Sequence, residues 1–368
     1  MYMRLKTAAK YVLYLFGKTK LLRLFKLNSE PNISRRTFIT RFFSLAFVAG
    51  LSALALKFGL SNPQVKDGTT QSKRKLITQI TPTEEFYKVS KDETVPDITM
   101  NEWKLTVDGM VDRQLSLNYQ DIIGFQSSEE FVTLECIGNP IGGNLIGNAR
   151  WKGISLNHIL EESGIVNETK NISFEADDGF NNSISFSRAM DGDAFLVYEM
   201  NSEPLTREHG FPLRLLIPGF YGYKSVKWLT KIHAIDEHFL GYWESRGRTN
   251  YPIIKTMSKI ITPIHNSTHK LKDIAVSGIA YSGDRGISMV ELSYDGGEKW
   301  DPVDLMSRPL SPFTWINWET NYTPTVTGDM TISVRARDLD GVIQTPIESA
   351  VYPDGATGHH NINISVNL

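Results

Sequence analysis

Cys136 is the only cysteine in the chain, and a lone thiol narrows the chemistry it can do. It cannot form an internal disulfide. It cannot by itself build a cysteine-based zinc site, an iron–sulfur cluster or a haem attachment pair, which all take several ligands. Its bland role would be a small buried hydrophobe. Its setting argues for chemistry instead. Phe131-Val132-Thr133-Leu134 reads as a strand, Cys136 follows at its end, and then comes Ile137-Gly138-Asn139-Pro140-Ile141-Gly142-Gly143-Asn144. A loop so rich in Gly and Asn suits close approach of backbone to a ligand. On residue types alone, one reading is a cysteine hydrolase with Cys136 as nucleophile, His209 as base and Asp178 as its orienting acid.

The elements that must position this thiol fall into two regions. Residues 61–80 are polar and charged and read as a linker. Residues 81–262 mix short strands (Lys104–Val107, Phe131–Leu134, Ile172–Glu175, Leu213–Ile217, Lys231–Ile235) with helical pieces. One helix runs from Ser155 as N-cap to a stop at Gly164. Strands and helices do not alternate regularly, so the expected class is α+β. From about 271 the texture changes. Asp273–Tyr281, Ser288–Tyr294 and Thr331–Arg337 alternate apolar and polar residues, and Asp295-Gly296-Gly297 and Asp338-Leu339-Asp340-Gly341 mark hairpin turns. Residues 263–368 therefore read as a β-sandwich.

Charge is distributed unevenly. The net charge is -2, which leaves no footprint for nucleic acid. Ten Lys or Arg nevertheless precede residue 42 against one acid, Glu30. Residues 1–60 then join this basic arm to an apolar run, Phe42 to Leu56. Ser34-Arg35-Arg36-Thr37-Phe38-Ile39 resembles a twin-arginine export signal, which addresses a chain to the Tat translocon. The expected location is periplasmic or otherwise extracytoplasmic. The run is short for a membrane span, which needs about 20 residues. Two outcomes stay open: cleavage near Ala53-Leu54-Ala55, or a membrane anchor formed by residues 42–60. Residues 10–26 fit either an interfacial helix or a long basic leader.

Several phrases then occur in a telling order. Leu134-Glu135-Cys136-Ile137-Gly138-Asn139 precedes Asn148-Ala149-Arg150-Trp151-Lys152-Gly153. His209-Gly210-Phe211-Pro212-Leu213-Arg214, Pro218-Gly219, Tyr221-Gly222 and Lys227-Trp228 follow, and Asp295-Gly296-Gly297, Trp300 and Arg335-Ala336-Arg337-Asp338 close the series. Over roughly residues 81–355 the chain resembles the sulfite oxidase family, in which a molybdopterin-binding domain precedes an Ig-like dimerisation domain. The resemblance implies an oxidoreductase carrying Mo-molybdopterin, with Cys136 as the protein ligand to the metal. It implies that Phe86, Tyr87, His209, Arg214, Ser225, Val226 and Lys227 contact the cofactor, together with Asp177 or Asp178, of which Asp178 is preferred. It also implies a homodimer.

Physical chemistry supports these roles. Arg214 and Lys227 suit a phosphate, and a soft thiolate suits a high-valent metal already bound by sulfur. Each residue has a plainer reading: a turn cap for His209, a surface ion pair for Arg214, a solvated tip for Lys227. Jointly those readings are improbable. The departures bear on substrate. The family's arginine shortly after the ligand cysteine is replaced here by Asn139-Pro140-Ile141, and a family active-site tyrosine is matched by Arg248. Arg150, Trp151 and Arg248 are the candidates for the substrate funnel, and Arg150 or Arg248 could restore the missing charge. No CxxCH motif is present, so electrons must pass to a separate carrier, a cytochrome or a quinone-linked protein. The expected reaction is two-electron oxygen-atom transfer on a small oxyanion or sulfoxide-type substrate. A non-catalytic Ig-like surface protein, supported by sequons such as Asn171-Ile172-Ser173, is the alternative from another class. His265 with His269, and the His359-His360 pair, read as loop and surface rather than metal sites.

Overall fold

The computed structural model describes residues 78–306 and 308–368. The leader, its apolar run and the linker up to residue 77 lie outside the described residues. No helix among the described residues is long and apolar enough to cross a membrane. The structure is mostly β-sheet. The three α-helices among the described residues, α1 (Tyr119–Gly124), α2 (Leu156–Glu162) and α3 (Phe186–Ala189), are short connectors, so helix contributes less there than an α+β pattern suggests. Local chemistry sets their bounds. Asn118 caps α1 by accepting from the Gln120 and Asp121 N–H groups, and Asp121 accepts from the Asn118 N–H in return. Gly164, at φ +66°, ends the turn after α2.

Four sheets make up the described residues. The first contains β1 (Leu105–Gly109), β2 (Leu115–Leu117), β5 (Asn171–Ala176), β6 (Asn181–Ser185) and β10 (Leu229–Ile235), in the order β2-β1-β10-β5-β6. Only β1 and β10 run parallel in it. The second contains β3 (Ser128–Glu135), β4 (Ile146–Ser155), β7 (Phe195–Met200) and β8 (Glu203–Pro204), with β9 (Arg214–Leu216) also paired to β7. One apolar core joins the two: Leu105, Phe174 and Ile232 from the first meet Ile154 and Leu196 from the second, with Ile159 and Leu160 of α2.

The remaining strands build two facing sheets. One has the order β11-β13-β17-β16, from β11 (Met257–Thr262), β13 (Ile274–Tyr281), β16 (Asp304–Leu305) and β17 (Ile316–Tyr322). The other has the order β12-β19-β18-β14-β15, from β12 (Ser267–Lys270), β14 (Ile287–Ser293), β15 (Asp301–Pro302), β18 (Gly328–Asp338) and β19 (His360–Asn367). They share a core in which Val276 and Trp318 meet Val290, Val334 and Ile364. The alternation in Asp273–Tyr281, Ser288–Tyr294 and Thr331–Arg337 thus marks real strands. β11 pairs with β13, so pairing in this half already begins at Met257, ahead of residue 263.

The two halves meet along β3. On one side β3 is laddered to β4, with Leu134 opposite Gly147 and Glu135 opposite Ile146. On the other it receives residues 311–315. The Thr133 N–H donates to the Phe313 carbonyl at 3.0 Å, the Trp315 N–H donates to Thr133 Oγ1 at 3.0 Å, and Ser311 Oγ donates to the Phe131 carbonyl at 2.5 Å. Buried Tyr281 adds a hydroxyl bond to the Thr133 carbonyl at 2.9 Å. A single neutral hydrogen bond of this kind contributes about 1 kcal/mol. Tyr281→Phe is therefore expected to lower the denaturant midpoint by a matching amount with an unchanged slope; an unchanged midpoint would remove this bond from the account of how β3 is held.

Candidate active site

Cys136 is the first residue after β3, at the head of the loop that returns to β4 at Ile146. Side chains pin that loop. The Cys136 N–H donates to the Leu145 carbonyl at 2.9 Å. Asn139 donates through Nδ2 to Glu135 Oε1 at 3.0 Å and accepts the Leu145 N–H at 2.9 Å. From the second half, Lys259 Nζ donates to the Gly143 carbonyl at 2.8 Å and also bonds Asn144. The sulfur accepts a weak bond from the Gly138 N–H at 3.4 Å. Burial raises the thiol pKa, and the neighbouring Glu135 raises it further. The Gly138 N–H and the Arg248 guanidinium oppose that rise.

The thiol faces a cavity of ≈ 350 Å³. Phe86, Tyr87, Asp178, His209, Arg214, Ser225, Lys227 and Arg248 line it with Cys136, so most of the residues singled out in the sequence meet in one place. Asp178 lines the wall and Asp177 does not. Phe86 forms the hub of one side. It stacks on Tyr87 at 5.4 Å and meets His209 edge-on at 5.6 Å and Trp151 edge-on at 5.8 Å. Two glycines permit this packing: a Cβ on Gly147 would lie 2.7 Å from the Phe86 ring, and one on Gly222 would lie 2.6 Å from the Tyr87 hydroxyl.

Arg214 starts β9 and is buried. Its Nη1 donates to the His209 carbonyl at 3.1 Å and its guanidinium lies 5.2 Å from the Trp151 ring centre, while its Nε has no partner. Burial lowers its pKa to about 10. Lys227 donates to Ser90 Oγ at 2.6 Å and to the Glu208 carbonyl at 3.0 Å, and sits 4.3 Å from the Trp228 ring centre. Burial, then repulsion from Arg214, lowers its pKa to about 7. The same two causes lower His209 to about 4, so its ring is neutral, with Nε2 at 3.1 Å from the Thr83 carbonyl. Ser225 Oγ accepts the Ile217 N–H at 3.1 Å.

Three residues stand elsewhere. Val226 is fully buried in the apolar core behind the wall. Arg150 is not part of the cavity wall: it lies on β4 and pairs with Glu129 at 3.4 Å near the surface. Trp151, the next residue, points the other way into the core and donates to the Val132 carbonyl at 3.1 Å. Strand alternation separates this neighbouring pair and sends them to opposite faces. The hydrolase arrangement does not assemble either. His209 is engaged with Thr83, Asp178 accepts the Phe180 N–H at 2.8 Å, and the thiol pKa is raised where a nucleophile needs it lowered.

Sequence reasoning missed Lys88, Lys91, Tyr223 and Trp243, which also line the cavity. Lys88 follows directly on Phe86-Tyr87 and Lys91 comes three residues later, and that proximity was the available signal. It missed a buried ion pair as well. Lys224 Nζ bonds Glu244, Asn182 Oδ1 at 2.8 Å and the Ser183 carbonyl at 2.8 Å, and Glu244 Oε2 accepts the Gly241 N–H at 2.7 Å. This cluster fixes the segment carrying Trp243 and Arg248 against β6.

Comparison with known proteins agrees with this geometry. Residues 92–243 match the oxidoreductase molybdopterin binding domain, and residues 252–352 match the Mo-co oxidoreductase dimerisation domain. The chain belongs to the sulfite oxidase family. The mitochondrial sulfite oxidase of Drosophila melanogaster is 31% identical over 283 residues, covering 65% of this chain and 49% of that protein. The human one is 29% identical over 313 residues, covering 72% and 57%. The NADH nitrate reductase of Cichorium intybus is 32% identical over 304 residues, covering 65% and 33%. The chain thus spans about half the length of the sulfite oxidases it matches. The solved structure of the sulfane dehydrogenase SoxCD from Paracoccus pantotrophus shares the fold, with a TM-score of 0.66 at 22% identity over 78% of this chain and 84% of that one.

Mo-molybdopterin is the cofactor of the family, and the cavity fits it. An anionic phosphate answers the unpartnered Nε of Arg214 and the desolvated Lys227. Asp178 and His209 offer polar groups to a pterin edge. Among the described residues, no group of three or more His, Cys, Asp or Glu could hold a metal; Cys136 offers one soft donor to a metal that the pterin already carries.

Lys227 also sets a pH dependence. With its pKa lowered from 10.5 to about 7, the unfolded chain holds a proton between those values that the folded chain has released. Stability of the cofactor-free protein should therefore rise with pH across that window. Thermal denaturation of Lys227→Met should show this part of the rise removed; parallel curves for the two proteins would contradict it.

Proposed function

We propose that this protein is an exported molybdenum-cofactor oxidoreductase that transfers an oxygen atom, in a two-electron step, to or from a small oxyanion or sulfoxide-type substrate. The observation that carries this reading is the sharing of one cavity by the only thiol, by two desolvated cations and by a further guanidinium, Arg248. Cys136 would ligate the metal. Arg214, Lys227, His209, Asp178, Ser225 and the Phe86-Tyr87 pair would hold the pterin and its phosphate. Bound there, the cofactor supplies the redox couple and the oxygen-transfer chemistry.

The chain's own residues then orient the substrate and exclude water. Asn139 is committed to the loop and Pro140 and Ile141 carry no charge, so the stretch after Cys136 gives an anion no cation. Arg248 lines the cavity and its charge is felt at Cys136, which makes it the group to bind a substrate oxyanion. Trp243 and Tyr223 narrow the space available to solvent. Export follows the twin-arginine motif Ser34–Ile39, with the apolar run 42–60 as a candidate anchor. The facing sheets of the second half are read as an Ig-like sandwich that pairs two copies, in keeping with the matched dimerisation domain. A cytochrome or quinone-linked carrier exchanges the electrons.

Protein made in a cofactor-competent host should carry about one molybdenum per chain and absorb visible light; colourless, molybdenum-free protein would reject the assignment. Cys136→Ser should lose the visible band and at least about a hundredfold in turnover, equivalent to ~2.7 kcal/mol. Arg248→Gln should keep its molybdenum and weaken oxyanion binding about tenfold, as loss of a charged hydrogen bond does. An unchanged affinity would remove Arg248 from the site.

A further inference from the structure

Arg248 is oriented from the other half of the protein. Its Nη1 donates to the Val351 carbonyl at 2.6 Å, and its guanidinium lies 5.2 Å from the centre of the Tyr352 ring. The Tyr352 hydroxyl reaches back to the Arg246 carbonyl at 3.5 Å. Between these two arginines, Gly247 adopts φ +91°, and a Cβ there would lie 2.2 Å from the Tyr352 hydroxyl. The 349–357 segment that carries Tyr352 is itself tied down. Ser349 and Thr357 bridge its ends, and Lys255 Nζ donates to the Gly355 carbonyl at 3.0 Å. Tyr352 remains 56% exposed, so its ring is not needed to fill a core.

We propose that Tyr352 is a positioning residue for substrate recognition: with the Val351 carbonyl, it holds the Arg248 guanidinium at the Cys136 cavity. The inference rests on the reading of Arg248 as the oxyanion-binding group. The physical reason is preorganisation. An arginine free to swing into solvent must be ordered each time an anion arrives, and that lost side-chain freedom is subtracted from affinity. A carbonyl on one Nη and an aromatic ring beside the guanidinium remove that freedom beforehand, while the remaining N–H donors stay available to an anion.

The test uses molybdenum-loaded protein, in which the pterin occupies the Arg214 and Lys227 side of the cavity, and sulfate as a non-reacting oxyanion followed by calorimetry. Tyr352→Ala should weaken sulfate binding two- to fivefold, the size expected for an exposed cation–ring contact, with molybdenum content unchanged. Tyr352→Phe keeps the ring and should bind sulfate like the wild type. In an Arg248→Gln background, Tyr352→Ala should add nothing, because its effect passes through the guanidinium. If Tyr352→Ala weakens binding equally in both backgrounds, or leaves the wild-type affinity untouched while Arg248→Gln lowers it, the positioning role is overturned alone. If sulfate fails to bind the wild type, or binds Arg248→Gln unchanged, the reading of Arg248 falls and this one falls with it.

Discussion

Setting Arg214 and Lys227 beside one another away from water is unfavourable twice over: each loses hydration, and each repels its neighbour. Burial lowers both pKa values, and repulsion from Arg214 lowers that of Lys227 further. The surrounding protein offsets part of the penalty with indole faces, Trp151 beside Arg214 and Trp228 beside Lys227. Carbonyls at His209 and Glu208 accept from the two cations. The cofactor's phosphate, as proposed, would supply the remaining compensation. The turns from Arg207 to Trp228 bring two cations, two carbonyls and one indole to the same wall from within twenty-odd residues of chain.

The cysteine depends on a different kind of support. As the proposed metal ligand, Cys136 must be held still, yet it sits where a strand becomes a loop, normally a mobile position. Rigidity comes from β4 on one edge of the strand, from residues 311–315 on the other, and from Lys259 gripping the far end of the loop. The second half of the protein is therefore part of the active-site scaffold as well as a candidate pairing module. Arg248, held through Val351 and Tyr352, would extend the same arrangement to the proposed substrate side.

Much of this was legible in residue order. The strand at Phe131–Leu134, the Gly-rich turn after Cys136 and the hairpins beyond residue 271 all announce themselves through alternation and turn chemistry, which are local. The family phrases then pointed to candidate cofactor residues, and one cavity gathers nearly all of them. What stayed hidden were the turns that carry these residues. His209 lies in a 3₁₀ turn, Arg207–His209; Ser225 follows another, Gly222–Lys224; and Arg248 follows a third, Glu244–Arg246. Such single turns have no periodicity to detect. The Lys224–Glu244 pair with Asn182, and the contacts of Tyr281 and Tyr352, join residues far apart in the chain. Arg150 and Trp151 both read as funnel candidates in the sequence; neither lines the cavity, and the period of a strand sends them to opposite faces.

The covering of β3 by residues 311–315 has one more consequence. β3 is the outermost strand of its sheet, and the covering segment takes up part of the hydrogen-bonding edge that β4 leaves free. A catalytic half cut away from its companion would expose that rim beside the apolar side chains of Val132 and Leu134, a template for strand addition by other molecules. Liberating the cofactor-binding half as a minimal enzyme would thus trade a folding partner for an aggregation hazard.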